Sequence, residues 1–361
     1  MRRHEAYATA SGRGGHRVVT VPSGVGFQRG QIVFLHQTRG ASAGAYEFAT
    51  VDAVGSTTLT MTYALTITLS SDGDNRGQVV VVPRYTSVTF LPAGGVSAPP
   101  WDGQKGGIVV FKATGPVLID GSLDASGAGF RGASHAAECA AGRVYNSKSI
   151  SPPVAGGFFG ESSTGASGLG PTISARGSGG SGGPPLDCGS GGGGGHGAPG
   201  KPGDRASGMQ VGGAGGDIAG SADLGSAVLF GGAGGEGGPD EDGAYPGVGG
   251  NGGGIVWIDA SSIEVTGRVA ANGTAGGDGN QSGTCGGNGS GMGGGGGGSG
   301  GTVRLRVTDR AAIGSGLVVA QPGAGGRCAA QAAVFGGAGG EGRIGVTGPV
   351  GGSSIPALDN R

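Results

Sequence analysis

The side chains best suited to chemistry in this chain are few and scattered. Five histidines, His4, His16, His36, His135 and His196, stand apart, and none belongs to an HExxH pair or lies beside a nucleophile motif. His196 follows five glycines and reads as a loop residue rather than a ligand. Asp120 and Asp124 are spaced to alternate onto one face of a strand, where paired carboxylates would suit glycoside hydrolysis. Solvated strand edges account for them better. Gly212-Gly-Ala-Gly-Gly-Asp217 matches the start of the calcium-binding nonapeptide and puts Asp217 forward as a weak calcium candidate. Such sites share ions between tandem copies, and this match is isolated, so no metal is expected. Asp240, Glu241 and Asp242 read as a solvated loop tip. Matches to GxGxxG follow trivially from glycine content, and no Walker pattern is present. The expectation is a protein that is not an enzyme and needs no cofactor.

Cysteine chemistry is equally restricted. Cys139, Cys188, Cys285 and Cys328 form no CxxC pair, so a structural zinc site is not expected. Two disulfides across the glycine-rich region and four free thiols are both compatible with the spacing, and the pairing is not legible.

Glycine supplies 94 of the 361 residues, and charged residues only 13%. Ordering a residue's backbone costs on the order of 1–2 kcal/mol, and glycine loses the most freedom. Glycine has no side chain to bury, so its N–H and C=O groups must supply the compensation by pairing. The tracts at 177–208 and 287–301 therefore read as packed against one another, as polyproline-II-like (polyglycine-II-like) helices with three residues per turn or as tight corner loops, with a flexible linker as the third reading open to Gly/Ser tracts. Gly197-Ala-Pro-Gly-Lys-Pro-Gly-Asp-Arg205 is too short a G-X-Y run for collagen and reads as one such strand.

The remaining sequence supplies β-structure, so the fold class expected is all-β. Residues 1–100 have ordinary composition, with short β-branched runs at 17–21, 31–37, 46–54, 57–61, 65–69, 78–82 and 85–91 separated by turn residues. They read as an N-terminal β domain, a small barrel or sandwich for attachment or assembly. The alanine-rich run 133–141 is the best helix candidate. Residues 101–361 form a glycine-rich repeat domain. GGIVVFKATGPVLIDGSLDASGAG begins at Gly106, GGIVWIDASSIEVTGRVAANGTAG at Gly253 and GGTVRLRVTDRAAIGSGLVVAQPGAG at Gly300. Gly121-Ser-Leu-Asp-Ala125 aligns with Gly267-Arg-Val-Ala-Ala271 and loosely with 316–320. These units, at about 106–127, 253–273 and 300–323, read as β-solenoid-like rungs, because one rung cannot bury its own apolar face. Residues 84–98 offer a degenerate further rung.

Function, on this reading, resides in the inserts. Tyr145, Phe158, Phe159 and Tyr245 fall between repeats, where loop aromatics serve as contact anchors, so they are the receptor-contact candidates. Trp257 reads as core, and Phe230 and Phe335 as anchors of the duplicated FGGAGGEG. A net charge of −1 gives no electrostatic case for nucleic acid, and the longest apolar stretches fall far short of a membrane span, so no membrane insertion is expected. The first sixteen residues carry no apolar leader core.

The run from Lys105 to Gly132, KGGIVVFKATGPVLIDGSLDASGAGFRG, resembles segments of glycine-rich phage tail-fibre and adhesin proteins, including the polyglycine-II type, and of glycine-rich bacterial surface β-solenoid proteins. The resemblance extends from about residue 85 to the C-terminus. It implies receptor recognition by a structural, adhesive protein located in a virion tail, or otherwise extracellular at a cell surface. The partners implied are further copies or other particle subunits, and a host cell-surface glycan or protein. A subunit of an extracellular filament, appendage or capsid shell would share the composition. A polysaccharide depolymerase would need the Asp120 and Asp124 carboxylates.

Overall fold

A computed structural model describes residues 6–134, 157–165, 177–183, 188–204, 212–238, 246–279, 291–329, 331 and 333–358. Among the described residues the fold is all-β, with no helix. The helix candidate at 133–141 lies almost entirely outside them.

The first sheet is antiparallel and contains β1 (Tyr7–Thr9), β2 (Ser11–Gly12), β3 (Val18–Thr20), β4 (Ile32–Arg39), β5 (Tyr46–Val54), β6 (Thr58–Met61) and β7 (Arg76–Val82), in the order β1-β7-β4-β5-β6-β3-β2. Its two edges, β1 and β2, are successive stretches of one segment, so the sheet closes on itself. The expected run at 65–69 contributes only a bridge at Leu69. Alternation sets the interior: Val33, Leu35, Val79 and Val81 point inward with Leu59, Met61 and Phe27, while Phe34, Val80 and Val82 point out.

The second sheet is parallel and begins after Pro83. It contains β8 (Arg84–Tyr85), β9 (Val88–Phe90), β10 (Gly95–Ser97), β11 (Ile108–Ala113), β12 (Val117–Ile119), β13 (Ser122–Asp124), β14 (Ile255–Val265), β15 (Arg268–Ala270), β16 (Thr302–Val319), β17 (Arg343–Thr347) and β18 (Val350–Ile355). The repeats pair in the register their sequences predict. Ile108 lies beside Ile255 and Ile255 beside Thr302, which aligns Gly106, Gly253 and Gly300. Leu123 pairs with Val269 and Val269 with Val318, so the loose third copy holds its place. The degenerate unit is also present, with β8, β9 and β10 pairing β11, β12 and β13. A further unit, β17 and β18, had no visible signature in the sequence.

In-register pairing stacks like on like. Phe111, Ile258, Leu305 and Val346 form one inward column, and Val109, Val256, Val303 and Ile344 another. Full burial of each such side chain contributes roughly 1.5–3 kcal/mol, and none can be buried by its own unit alone. The sheet curls around this core. Its outer face, with Val110, Ile255 and Trp257, packs against Phe34, Tyr46 and Phe48 of the first sheet.

The glycine tracts hang from the parallel sheet as a hydrogen-bonded bundle. In 291–301 the N–H groups of Gly293, Gly296 and Ser299 donate to Gly238, Gly235 and Gly232. Those of Gly295, Gly298 and Gly301 donate to Gly277, Thr274 and Ala271, and those of Gly297 and Gly300 to Gly337 and Gly340. Its carbonyls accept from Gly191 and Gly194, from Gly247, Gly250 and Gly253, and from Gly326 and Gly323. The period is three residues. Segments 189–197, 229–238, 246–254, 271–279, 320–328 and 334–342 thus surround this tract on all sides.

Segments 189–197 and 229–238 are enclosed in the same manner, and these three interior tracts contact one another. Around them run 129–133, 157–161, 178–183, 198–204, 212–219, 246–254, 271–279, 320–328 and 334–342. In the glycine runs of two interior tracts there is no room for a Cβ. At each of Gly191 to Gly195 and Gly293 to Gly298 an added Cβ would come within 3.0 Å of a neighbouring tract's backbone. Outer tracts need glycine only on the inward rows. The Gly200 and Gly203 rows of the G-X-Y segment face 189–197, as a single strand of the bundle should.

Candidate functional site

Tract direction follows from the pairing order. Segments 189–197, 246–254, 291–301 and 334–342 run toward the parallel sheet, and the last three continue directly into β14, β16 and β17. Segments 178–183, 198–204, 229–238, 271–279 and 320–328 run away from it. The described tracts therefore end together at a far end, opposite the sheet. Gly183, Cys188, Asp204, Gly212, Gly238, Gly279, Gly291 and Cys328 all lie there. The described residues that flank 184–187, 205–211, 239–245 and 280–290 therefore lie at that end, as does Gly157.

The sequence-derived contact candidates divide accordingly. Tyr145 and Tyr245 lie outside the described residues. Phe158 is half-buried at the start of its tract, and its N–H donates to Glu236 Oε2 at 3.2 Å. Phe159 is a correction: at 1% exposure it is packing and offers no surface to a receptor. Its tract is held between 178–183 and 229–238, with Gly157 and Gly160 in close backbone contact with both.

The far end carries a covalent tie. Cys188 and Cys328 form a disulfide with Cα atoms 5.3 Å apart, joining an interior tract to an outer one beside Val334. That settles one pair of the cysteine framework. Cys139 and Cys285 lie outside the described residues.

Asp217 does not sit in a nonapeptide turn. Gly213 and Gly216 donate to Ser190 and Gly193 as members of an outer tract, and the exposed Asp217 carboxylate lies on its outward row. Among the described residues no three His, Cys, Asp or Glu side chains cluster as a metal site. Asp124 Oδ1 accepts from Ser126 N at 2.8 Å in a turn, and Asp120 Oδ1 from Thr266 Oγ1 at 3.1 Å. Each carboxylate has a local structural partner.

The groups that sequence reasoning missed lie where the closed sheet meets the bundle. Glu161, wholly buried, receives Arg39 Nη1, Trp101 Nε1 at 3.1 Å, and both Arg131 N and Nε at 3.1 and 3.0 Å. Burial pulls the Arg39 guanidinium below its ordinary pKa, against the opposing attraction of Glu161. His36 is buried too. Its Nε2 donates to Val228 O at 2.9 Å and its Nδ1 meets Thr38 Oγ1 at 2.9 Å, while Gln78 Nε2 donates to Thr38 Oγ1 at 2.7 Å. Burial pushes the His36 pKa down to about 4. His196 is also buried, which corrects its reading as a loop residue: Nδ1 donates to Gly300 O at 3.0 Å, and burial lowers its pKa to about 4. A signal for this joint existed in the alternation of β4, where His36 and Phe34 share the face opposite the closed-sheet interior.

No protein-family model matches this chain, and no curated protein or solved structure matches it.

Proposed function

We propose that this chain is a structural, adhesive protein, a receptor-binding or tail-fibre component of a phage or phage-like particle. The closed N-terminal sheet serves attachment or assembly, and the far end of the bundle serves recognition of a host cell-surface glycan or protein. The observation that carries this reading is positional. The described residues that flank 184–187, 205–211, 239–245 and 280–290 gather at one end of the bundle, on a support whose interior tracts are hydrogen-bonded to neighbours all round. Variable recognition segments need such a support, because loop ordering otherwise subtracts from binding. The curled parallel sheet is read here as solenoid-like, and the three-residue period of the tracts as a polyglycine-II-like bundle.

Fluorescently labelled full-length protein, incubated with a panel of bacterial strains, tests the reading. The expected result is saturable binding to a subset of strains, reduced at least tenfold by Tyr145→Ala with Tyr245→Ala. Absence of strain-selective binding, or binding indifferent to both substitutions, counts against recognition at the far end.

One observation favours the second reading, a subunit of an extracellular filament, appendage or shell. The parallel sheet ends on single-sided strands at both β8–β10 and β17–β18. Micrographs of the purified protein would show polymers if those edges join, and discrete particles if they do not.

A further inference from the structure

The closed N-terminal sheet has an open seam. The hydrogen bonds of β1 to β7 use alternate residues: Val81 N donates to Ala6 O at 3.0 Å and Ala10 N to Gly77 O at 2.8 Å, with Ala8 opposite Val79 between them. The N–H and C=O groups of Tyr7 and Thr9 therefore point away from β7, toward the segment that follows β3. That segment fails to meet them. β2 pairs β3 through Ser11 opposite Thr20 and Gly12 opposite Val19. Continued by two residues, the same register places Pro22 opposite Thr9. Proline has no N–H, and the ladder stops there.

Between the two lips lies a cavity of about 380 Å³, lined by Tyr7, Thr9, Pro22, Val25, Phe27 and Lys105 among others. Val25, at the rim, is 87% exposed. Among the described residues Lys105 is the one charged group in the lining, and its exposed ion pair with Asp102, at 3.1 Å, is of a kind worth little in water.

We propose that this seam is a docking site for an extended strand of a partner protein, apolar at alternate positions and carrying a carboxylate that reaches Lys105. Main-chain groups of the guest would pair with Tyr7 and Thr9, and its apolar side chains would enter the cavity beside Pro22, Val25 and Phe27. This is strand addition at a sheet edge, where backbone bonds supply affinity and the pocket and charge supply selectivity. A basic segment is disfavoured by the same ammonium group.

The test uses the full chain and the soluble peptide acetyl-Asp-Val-Thr-Val-Thr-amide, followed by amide exchange. With about 1 mM peptide, the Tyr7 and Thr9 amides should exchange about tenfold more slowly. A peptide with N-methylated backbone, or with Lys for Asp, should protect at least several-fold less. Thr9→Pro removes a donor that β7 does not use, and Val25→Asp places a like charge for the peptide on an exposed lip. Both should keep the parent's melting temperature and lose the protection. The proposal is overturned if the two amides remain unprotected, or if the N-methylated peptide and both variants behave as the parent does. Protection that appears without peptide and rises with protein concentration also overturns it, in favour of self-pairing.

Discussion

Replacing Gly296 by alanine adds one methyl group at the centre of the bundle, and the geometry makes that change severe. The new Cβ would fall within 3.0 Å of Gly192 O, Gly192 C and Gly193 N, all backbone atoms of another interior tract. Neither side can yield by rotating a side chain. Relief requires displacing the two tracts by about 1 Å, which takes neighbouring N···O separations of 2.8 Å beyond hydrogen-bonding range. The bonds at risk are Gly296 N to Gly235 O, Gly250 N to Gly296 O, and Gly235 N to Gly192 O. A buried peptide group left unpaired costs about 1–3 kcal/mol, so three broken bonds amount to roughly 5 kcal/mol. The opposing gain, from fewer unfolded conformations, is at most about 1 kcal/mol. Gly225→Ala is the matched control, because nothing lies closer than 3.8 Å to a Cβ there. Denaturant titration followed by circular dichroism should show a loss of about 5 kcal/mol for Gly296→Ala and a change within about 0.5 kcal/mol for Gly225→Ala. If both variants fall within 1 kcal/mol of the parent, the reasoning about close backbone approach is refuted.

Glu161→Ala should cost about 3–5 kcal/mol by leaving the Arg39 guanidinium buried without its anion, and limited proteolysis should then release the closed sheet from the bundle; an unchanged digestion pattern would contradict this. Removing the disulfide by Cys188→Ser with Cys328→Ser should destabilise by about 2–5 kcal/mol, given the sequence separation of 140 residues, and thermal melts read it directly. His36 and His196, both lowered to about 4 from 6.5, are neutral in the folded chain over a range where the unfolded chain binds protons. Their stabilisation is complete above pH 6.5, declines as pH falls from 6.5 to 4, and is level below that. Each is expected to account for about 3 kcal/mol, so His36→Gln should remove about half of the slope in that window and leave the part due to His196.

The repeat units were legible because their apolar columns must coincide: the GG pairs at Gly106, Gly253 and Gly300 predict a register that Ile108, Ile255 and Thr302 then show. The unit at β17 and β18 was hidden, since Gly352 stands in the column of Ile119, Val265 and Ile313, and Gly345 in that of Val110, Trp257 and Arg304. Packing of the glycine tracts could be argued from unpaired peptide groups, but their arrangement could not, because glycine side chains carry no pattern of facing. Glycine spacing carries only part of it. The unbroken run Gly191 to Gly195 occupies an interior tract and GGAGGD at 212–217 leaves Asp217 exposed, yet GGAGGEG at 231–237 has the same spacing and buries Ala233 and Glu236. Phe159 and Glu161 were obscured for a different reason: their burial depends on segments far away in sequence, among them 131, 39 and 101.

The central claim is that the glycine tracts form an ordered bundle in which the peptide N–H groups of Gly191 to Gly195 and Gly295 to Gly300 are held by neighbouring tracts. Native-state amide exchange of Gly191 to Gly195 and Gly295 to Gly300 tests it most directly. The account predicts that these amides exchange only when the whole domain unfolds, with protection equal to that of Val256 and Leu305 in the parallel sheet. Exchange at the rate of an unstructured glycine linker would contradict it.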